Sequence, residues 1–301
     1  GVLDALGLGG EEMLRINPAL VYVSISGFGP RSPYAHLAGV DLIAQGMSGV
    51  MTFTGDPKGE VVKIGVPLSD LNAGSFAATS AIAAYHHSHR TGEGQTVDVS
   101  LLDSVLAYTV WEADQWFSKG LVARPLGTAH RAAAPYQAFD TADSPITVGA
   151  GTDRLWERLT DALESPELAT DPRFLTVDLR MLNREVLTNI LSKIFLDRTR
   201  EEWLQRLHWA GVPSGPIFTV EQIWTDEHVR KRDMIVTLDA SAGDSQESRT
   251  YVGSPMKFSR TPVRIDRPAG WPGRDTREVL SDWGVPSEEV DELLVRSIVA
   301  E

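Results

Sequence analysis

A carboxylate attacks an activated carbonyl when it is held in place and partly stripped of water, and Asp70 is the carboxylate whose setting best suits that chemistry. It stands in the run VPLSDLNAG. The residues before it, Val61 to Leu68, read as a strand, and those after it as a long Ala-rich helix ending near His89. That order predicts a strand-to-helix turn, the edge at which parallel α/β sheets bind ligands. An aspartate there has two uses. The commoner is to cap the helix by accepting its free N–H groups. The other is to attack a thioester, forming a mixed anhydride and releasing a thiolate. Gly74, Ala77, Ala78, Ala81 and Ala84 give the following helix a small-residue surface on which a ligand can lie close. The helix amides favour an anion at the same end, and Pro67 restricts the backbone leading into it.

Other chemistries lose their usual supports. The chain has no cysteine, which excludes disulfides, thiolate metal sites and cysteine nucleophiles and fits a reducing cytoplasm. His86, His87 and His89 close the Ala-rich helix, where positive charge complements the helix end, and no carboxylate stands at ligand spacing, so no metal is expected. His130, in GTAHRAAAPYQ, is a candidate contact beside Arg131, whereas His36, His208 and His228 have no chemical company. No phosphate-loop, G-x-S-x-G or H-E-x-x-H pattern occurs. Gly149 to Gly151 lacks the third glycine of a dinucleotide fingerprint and reads as a turn capped by Thr152 or Asp153. A formal charge of −13 argues against non-specific nucleic-acid binding. The most apolar stretch, Leu71 to Tyr85, is interrupted by Asn72, Gly74, Ser75, Thr79 and Ser80, so it reads as a buried helix of a soluble protein and no membrane contact is expected. No secretory signal is expected either.

The elements that must position Asp70 read as βα alternation. With 301 residues, 42% hydrophobic and 23% charged, the chain is expected to fold as two domains or one large α/β unit. Leu3 to Leu14 reads as helix, Leu20 to Ser26 as a buried strand, Gly27 to Pro30 as a turn and Asp41 to Val50 as helix. Gln95 to Leu101 is a further strand, and Leu102 to Lys119 one long helix. From Ala134 the texture changes to a strand at ITVGAG and helices over Asp153 to Leu163, Asn183 to Phe195 and Arg200 to Trp209, as in a second, smaller domain. Val220 to Arg230 is amphipathic, β-rich segments follow at Met234 to Leu238 and Arg249 to Val252, and helices over Arg274 to Trp283 and Glu288 to Ile298 end the chain. Trp111, Trp116 and Tyr136 either line a pocket or belong to a core.

Taken together, GVLDALGLG, INPALVYVSISGFGPRSPYAHLAGVDLIAQGMSGVMTFTGDP, KIGVPLSDLNAGSFAATSAIAAYHHSHRTGEGQTVDVSLLDSVLA, GTAHRAAAPYQAFDTAD, AGVPSGPI and VGSPMKFSRTP resemble the class III coenzyme A transferases over nearly the whole chain. The most specific are TGEGQTVDVSLLDS and GVPLSDLNAG. The resemblance places the family's catalytic aspartate at Asp70. It implies transfer of coenzyme A from an acyl-CoA to a small carboxylic acid through an aspartyl anhydride and an aspartyl-CoA thioester, with CoA as substrate and no tightly bound cofactor. Leu6, Phe28, Val40 and Asp41 are the implied CoA contacts, and His130 and Tyr136 the candidate substrate contacts. Related α-methylacyl-CoA racemases carry a G-H-D segment where this chain has Gly39-Val40-Asp41, and Val40 can neither take nor give a proton. That favours the transferase; racemase-like isomerisation and a catalytically incomplete fragment remain as alternatives.

The implied fold is a Rossmann-like large domain from residues 1–101 and 229–301, a linker helix over 102–126 and a small α+β domain over 127–225, in a homodimer whose subunits interlock. The family's sheet begins upstream of Gly1 with a βαβ region that helps to hold adenine and phosphate, so the large domain is expected to be N-terminally incomplete. Ala5 stands where the family often has a basic residue. Weakened CoA binding and exposed sheet surface are the expected consequences.

Overall fold

The computed structural model describes residues 2–239, 248–268 and 270–301. Its contacts gather into two compact units, Gly1–Ile217 and Phe218–Glu301.

In the first unit, α1 (Val2–Ala5) and α2 (Gly10–Ile16) replace the single helix expected over Leu3 to Leu14, because Gly7 adopts φ +72° and turns the chain. The strands β1 (Val21–Ser26) and β2 (Gln95–Ser100) form as the sequence predicts and pair in parallel, Val21 opposite Gln95 through Ser26 opposite Ser100. Alternation puts Val21, Val23, Ile25, Val97 and Val99 on one face and Tyr22, Ser24, Ser26, Thr96 and Asp98 on the other. Between the strands run α3 (Asp41–Met47), α4 (Val50–Phe53) and the long crossover α5 (Leu68–Thr91), which packs against both strands. Gly92 ends α5 in the left-handed conformation, its N–H donating to Ser88 O at 2.8 Å.

The strand expected over Val61 to Leu68 does not form. Apolar β-branched residues favour a strand only where a neighbouring edge offers hydrogen bonds, and here the buried Gln45 side chain stands in for one. Its Oε1 accepts from Ile64 N at 2.8 Å and its Nε2 donates to Val66 O at 3.3 Å. The helix expected over Leu102 to Lys119 is also broken, into α6 (Leu101–Leu106) and α7 (Val110–Lys119). At the break the Tyr108 and Thr109 N–H groups donate three residues back, to Val105 O at 2.9 Å and Leu106 O at 3.1 Å, and Thr109 leaves the helical conformation at φ −86°, ψ 26°.

The sheet of β3 (Tyr136–Phe139), β4 (Ile146–Gly149) and β5 (Ser214–Pro216) is antiparallel and is covered by α8 (Asp153–Ala162), α9 (Glu167–Thr170), α10 (Val177–Leu182), α11 (Arg184–Phe195) and α12 (Arg200–Trp209). Its core is built from bulky side chains, among them Phe139, Trp156, Phe174, Phe195 and Trp203. Thr152 caps α8, as expected.

The second unit carries α13 (Val220–Thr225), α14 (Glu227–Lys231), the antiparallel pair β6 (Ile235–Leu238) and β7 (Arg249–Val252), then α15 (Thr276–Asp282) and α16 (Ser287–Val295). The amphipathic stretch Val220 to Arg230 divides at Asp226, whose carboxylate accepts from His228 N at 2.7 Å and starts the second helix. Among the described residues no helix is long and apolar enough to cross a membrane.

Candidate active site

The residue that precedes α5 is Pro67, which has no side-chain oxygen with which to cap it. Capping comes from another helix. Asp41, at the start of α3, accepts on Oδ1 both the Ser69 backbone N–H and the Ser69 hydroxyl, each at 2.9 Å. Its Oδ2 accepts from Gln45 Nε2 at 2.8 Å, one turn along the same helix. Ser69 and Gln45 are both completely buried, so this network is fixed within the packing of α3 on α5.

Asp70 is therefore free of the capping role that is its commonest use. It is the third residue of α5, not the residue after a strand, and its side chain is exposed. Its hydrogen-bond contact is with the Ser69 hydroxyl, 3.5 Å from Oδ1. One turn further, Gly74 shares its face, and a Cβ placed there would meet nothing within 4 Å. The Asp70 carboxylate thus stands at the first turn of a long helix, beside open space and near the positive end of the helix dipole.

A close backbone crossing joins the segments that carry two other expected site residues. A Cβ on Gly27 would lie 2.8 Å from Gly39 Cα, so only glycines let the loop after β1 fold back on the start of α3. That crossing sets Phe28 next to Gly39 and Val40. Phe28 is buried edge-on against Tyr34 with ring centroids 5.8 Å apart, whereas Val40 is 60% exposed just before Asp41. Leu6 lies in the turn after α1, exposed and apart from these contacts. A cavity of about 380 Å³ opens along the polar face of the β1–β2 sheet, lined by Tyr22, Ser24, Phe28, Thr96 and Asp98 among others. Of the expected CoA contacts, Phe28 lines it; Leu6, Val40 and Asp41 do not.

His130 and Tyr136 come together at the edge of the small sheet. The His130 ring lies 4.8 Å from Trp111 and 4.9 Å from Tyr136, centroid to centroid, and its Nδ1 accepts from Ala132 N at 3.1 Å. In the neutral ring that bond leaves the proton on Nε2. Arg131 is engaged by Glu112 at 2.8 Å. Phe76 of α5 makes a separate ring contact with Tyr108, centroids 6.0 Å apart. Trp111 thus belongs to the ring cluster, while Trp116 is a half-exposed residue of α7. His86, His87 and His89 sit in the last turns of α5, with His89 stacked on Tyr85 at 5.9 Å.

Sequence reasoning did not single out Ser69 or Gln45. The Asp41-x-x-x-Gln45 spacing on one helix face was the available signal for Gln45. Nothing local marks Ser69, whose partner lies 28 residues away.

The family model described as CoA-transferase family III matches residues 1–276. Acetyl-CoA:oxalate CoA-transferase of Acetobacter aceti is 38% identical over 237 residues, covering 78% of this chain and 61% of that protein. Succinate–glutarate CoA-transferase of Agrobacterium fabrum is 34% identical over 280 residues, covering 93% of this chain and 69% of that protein. A solved CAIB/BAIF family protein from Brucella suis superposes with a TM-score of 0.76 at 33% identity, covering 94% of this chain and 72% of that one. The chain spans 61% to 69% of the length of these two curated relatives.

Proposed function

The chain belongs to CoA-transferase family III, and from that premise we propose that it moves coenzyme A from an acyl-CoA thioester to a carboxylic acid with Asp70 as the nucleophile. The observation that carries this reading is the exposed, uncapped Asp70 carboxylate, seated on a helix that Asp41 caps in its place. An Asp70 oxygen adds to the thioester carbonyl, the C–S bond breaks, and CoA leaves as its thiolate while Asp70 holds the acyl group as an anhydride. The thiolate then adds to the aspartyl carbon and expels the acyl group as a carboxylate, leaving an aspartyl-CoA thioester. The acceptor carboxylate repeats the two steps in the opposite sense. Each step exchanges one activated acyl bond for another, so the cycle consumes no ATP and uses CoA as substrate, with no tightly bound cofactor.

Several finer assignments belong to the same reading. Leu6, Phe28 and Val40 contact CoA, Asp41 acts at the site through Ser69, and His130 and Tyr136 contact the acyl or acceptor group. Oxalate and glutarate in the names of the relatives are dicarboxylates, so the acceptor class is a short dicarboxylate. The large domain is Rossmann-like, built from residues 1–101 and 229–301, with a linker over 102–126 and a small domain over 127–225. A second copy interlocks with the first; large apolar side chains at 65% exposure or more on α5 and α7, Ile82, Tyr85 and Phe117, support that partner. The setting is cytoplasmic, in keeping with a chain that has no cysteine.

Mass spectrometry after incubation with a panel of acyl-CoAs and dicarboxylates tests the reading. Transferred CoA and an adduct on Asp70 are expected, with exchange falling at least about a thousandfold in Asp70→Asn while the circular dichroism spectrum persists. Exchange that survives in Asp70→Asn would sink the assignment. Loss of chirality at C2 of a 2-methylacyl-CoA without exchange would favour isomerisation instead. Light scattering tests the dimer.

A further inference from the structure

We propose that the Ser69 hydroxyl is a second catalytic group, donating a hydrogen bond to the Asp70 oxygen that becomes negative each time a nucleophile adds to the aspartyl carbon. The inference rests on the reading of Asp70 as the nucleophile. Ser69 Oγ lies 2.9 Å from Asp41 Oδ1 and 3.5 Å from Asp70 Oδ1, and a hydroxyl has one proton to give. In the free enzyme both acceptors are carboxylates, and the shorter bond to Asp41 takes the proton. Because Asp70 Oδ1 faces Ser69, Oδ2 is the oxygen left to attack the thioester.

Once Asp70 is acylated, Oδ1 is a neutral carbonyl oxygen. When the CoA thiolate or the acceptor carboxylate adds to Cγ, its electron pair forms the new bond and the C=O pair moves onto Oδ1. That oxygen now carries a full negative charge and is a stronger acceptor than the delocalised Asp41 carboxylate. Rotation about the Ser69 Cβ–Oγ bond turns the hydroxyl to this oxygen, an approach of about 0.5 Å from the 3.5 Å separation brings it to full hydrogen-bond distance, and the proton stays on Oγ. Collapse returns the pair to the carbonyl as the carboxylate or thiolate departs.

The surroundings suit this role. Ser69 is completely buried, so water does not compete for its hydroxyl, and the reorganisation at each addition is confined to the turn of one hydroxyl and a short approach. Asp41 keeps its bonds from the Ser69 backbone N–H and from Gln45 when the hydroxyl turns away, so the frame stays rigid through the cycle.

Ser69→Ala and Ser69→Cys test the proposal; the cysteine fills a similar volume and donates poorly. Rapid-quench mass spectrometry with acyl-CoA alone measures the first adduct on Asp70, and steady-state exchange measures the whole cycle. The first adduct is expected to form at close to the wild-type rate and then to accumulate. Overall turnover is expected to fall by about 100-fold or more, the loss typical of one oxyanion donor. The apparent KM for the acyl-CoA is expected to fall with turnover as the adduct accumulates, rather than to rise as lost binding would make it. Wild-type turnover in both variants would overturn the proposal, as would a first step slowed as much as the cycle, which is the signature of a purely structural serine. An Asp70→Asn protein that still exchanges CoA would instead overturn the reading of Asp70, whatever the Ser69 variants do.

Discussion

Two regions of the first unit are held together by opposite means. The sheet of β3, β4 and β5 encloses a core of large apolar side chains, with Trp156, Phe174, Phe195 and Trp203 all at 2% exposure or less. On α3, α5, β2 and α6 the buried residues are mostly small or polar, Ala44, Ala73, Ala77 and Ala84 with Gln45, Ser69, Ser88, Ser100 and Ser104, and Val105 is the larger exception. Burial of bulky side chains is worth roughly 25 cal/mol per Å² and has no direction. Short side chains give less of that, but they let α3 and α5 approach closely and fix oxygens within hydrogen-bond distance. The first region stores stability; the second spends it on placing a carboxylate.

Truncation of a core ring is the hardest test of that contrast. Trp203→Ala removes a buried indole whose Nε1 donates to Phe195 O at 2.8 Å, and is expected to cost about 3–5 kcal/mol. Urea unfolding measures it, and a cost below about 1 kcal/mol would break the comparison. Gln45→Leu keeps the volume near the site but removes the partners of Ile64 N, Val66 O and Asp41 Oδ2. About 2–3 kcal/mol of destabilisation is expected from the orphaned groups. Activity should fall further than the folded fraction, because Asp41 loses the bond that steadies it.

The same contrast decides what the sequence made legible. β1, β2 and α5 were readable because their patterns are local: an apolar β-rich run before Gly27, an alternating strand with Val97 and Val99 after Gly94, and an Ala-rich stretch between Pro67 and Gly92. Val61 to Leu68 has the same apolar, β-branched character as a strand, yet its hydrogen bonds go to a side chain 19 and 21 residues away, a fact no local window contains. The break between Leu106 and Val110 lies in backbone N–H groups that bond three residues back, which pattern alone does not reveal. At the candidate site, Asp70 was legible as a candidate, but the capping of α5 by Asp41 rather than by Asp70 required the packing of two helices.

Smaller effects sharpen the picture on the site's side. Gly74→Ala places its methyl group in open space and removes a glycine from inside a helix, so a gain of up to about 1 kcal/mol is expected in thermal unfolding with exchange nearly unchanged. Gly74→Trp fills the space one turn from Asp70, and exchange should drop while the fold stays intact. Equal activity in both variants would show that the open space above Gly74 takes no part in binding.

The smallest expected effect lies on the surface of the volume-packed region. The Asp171 pKa is lowered from 3.8 to about 2, first by the Arg173 side chain hydrogen-bonded to it and then by the Arg173 backbone N–H. A depressed carboxyl pKa means that the folded state binds its proton less readily than the unfolded chain does. Its contribution to stability is therefore complete above about pH 4 and lost as pH falls through about 2. Arg173 is half exposed, so solvent screens the pair and the change is small. In Asp171→Asn this part of the acid dependence should vanish, as followed by NMR titration of Asp171 and by unfolding at stepped pH. The buried rings beneath it make no demand on that charge, so the mutant should unfold like the wild type once pH has fallen below about 2. A large loss of stability at neutral pH would mean that this region, too, depends on polar contacts, and would erase the distinction between the two.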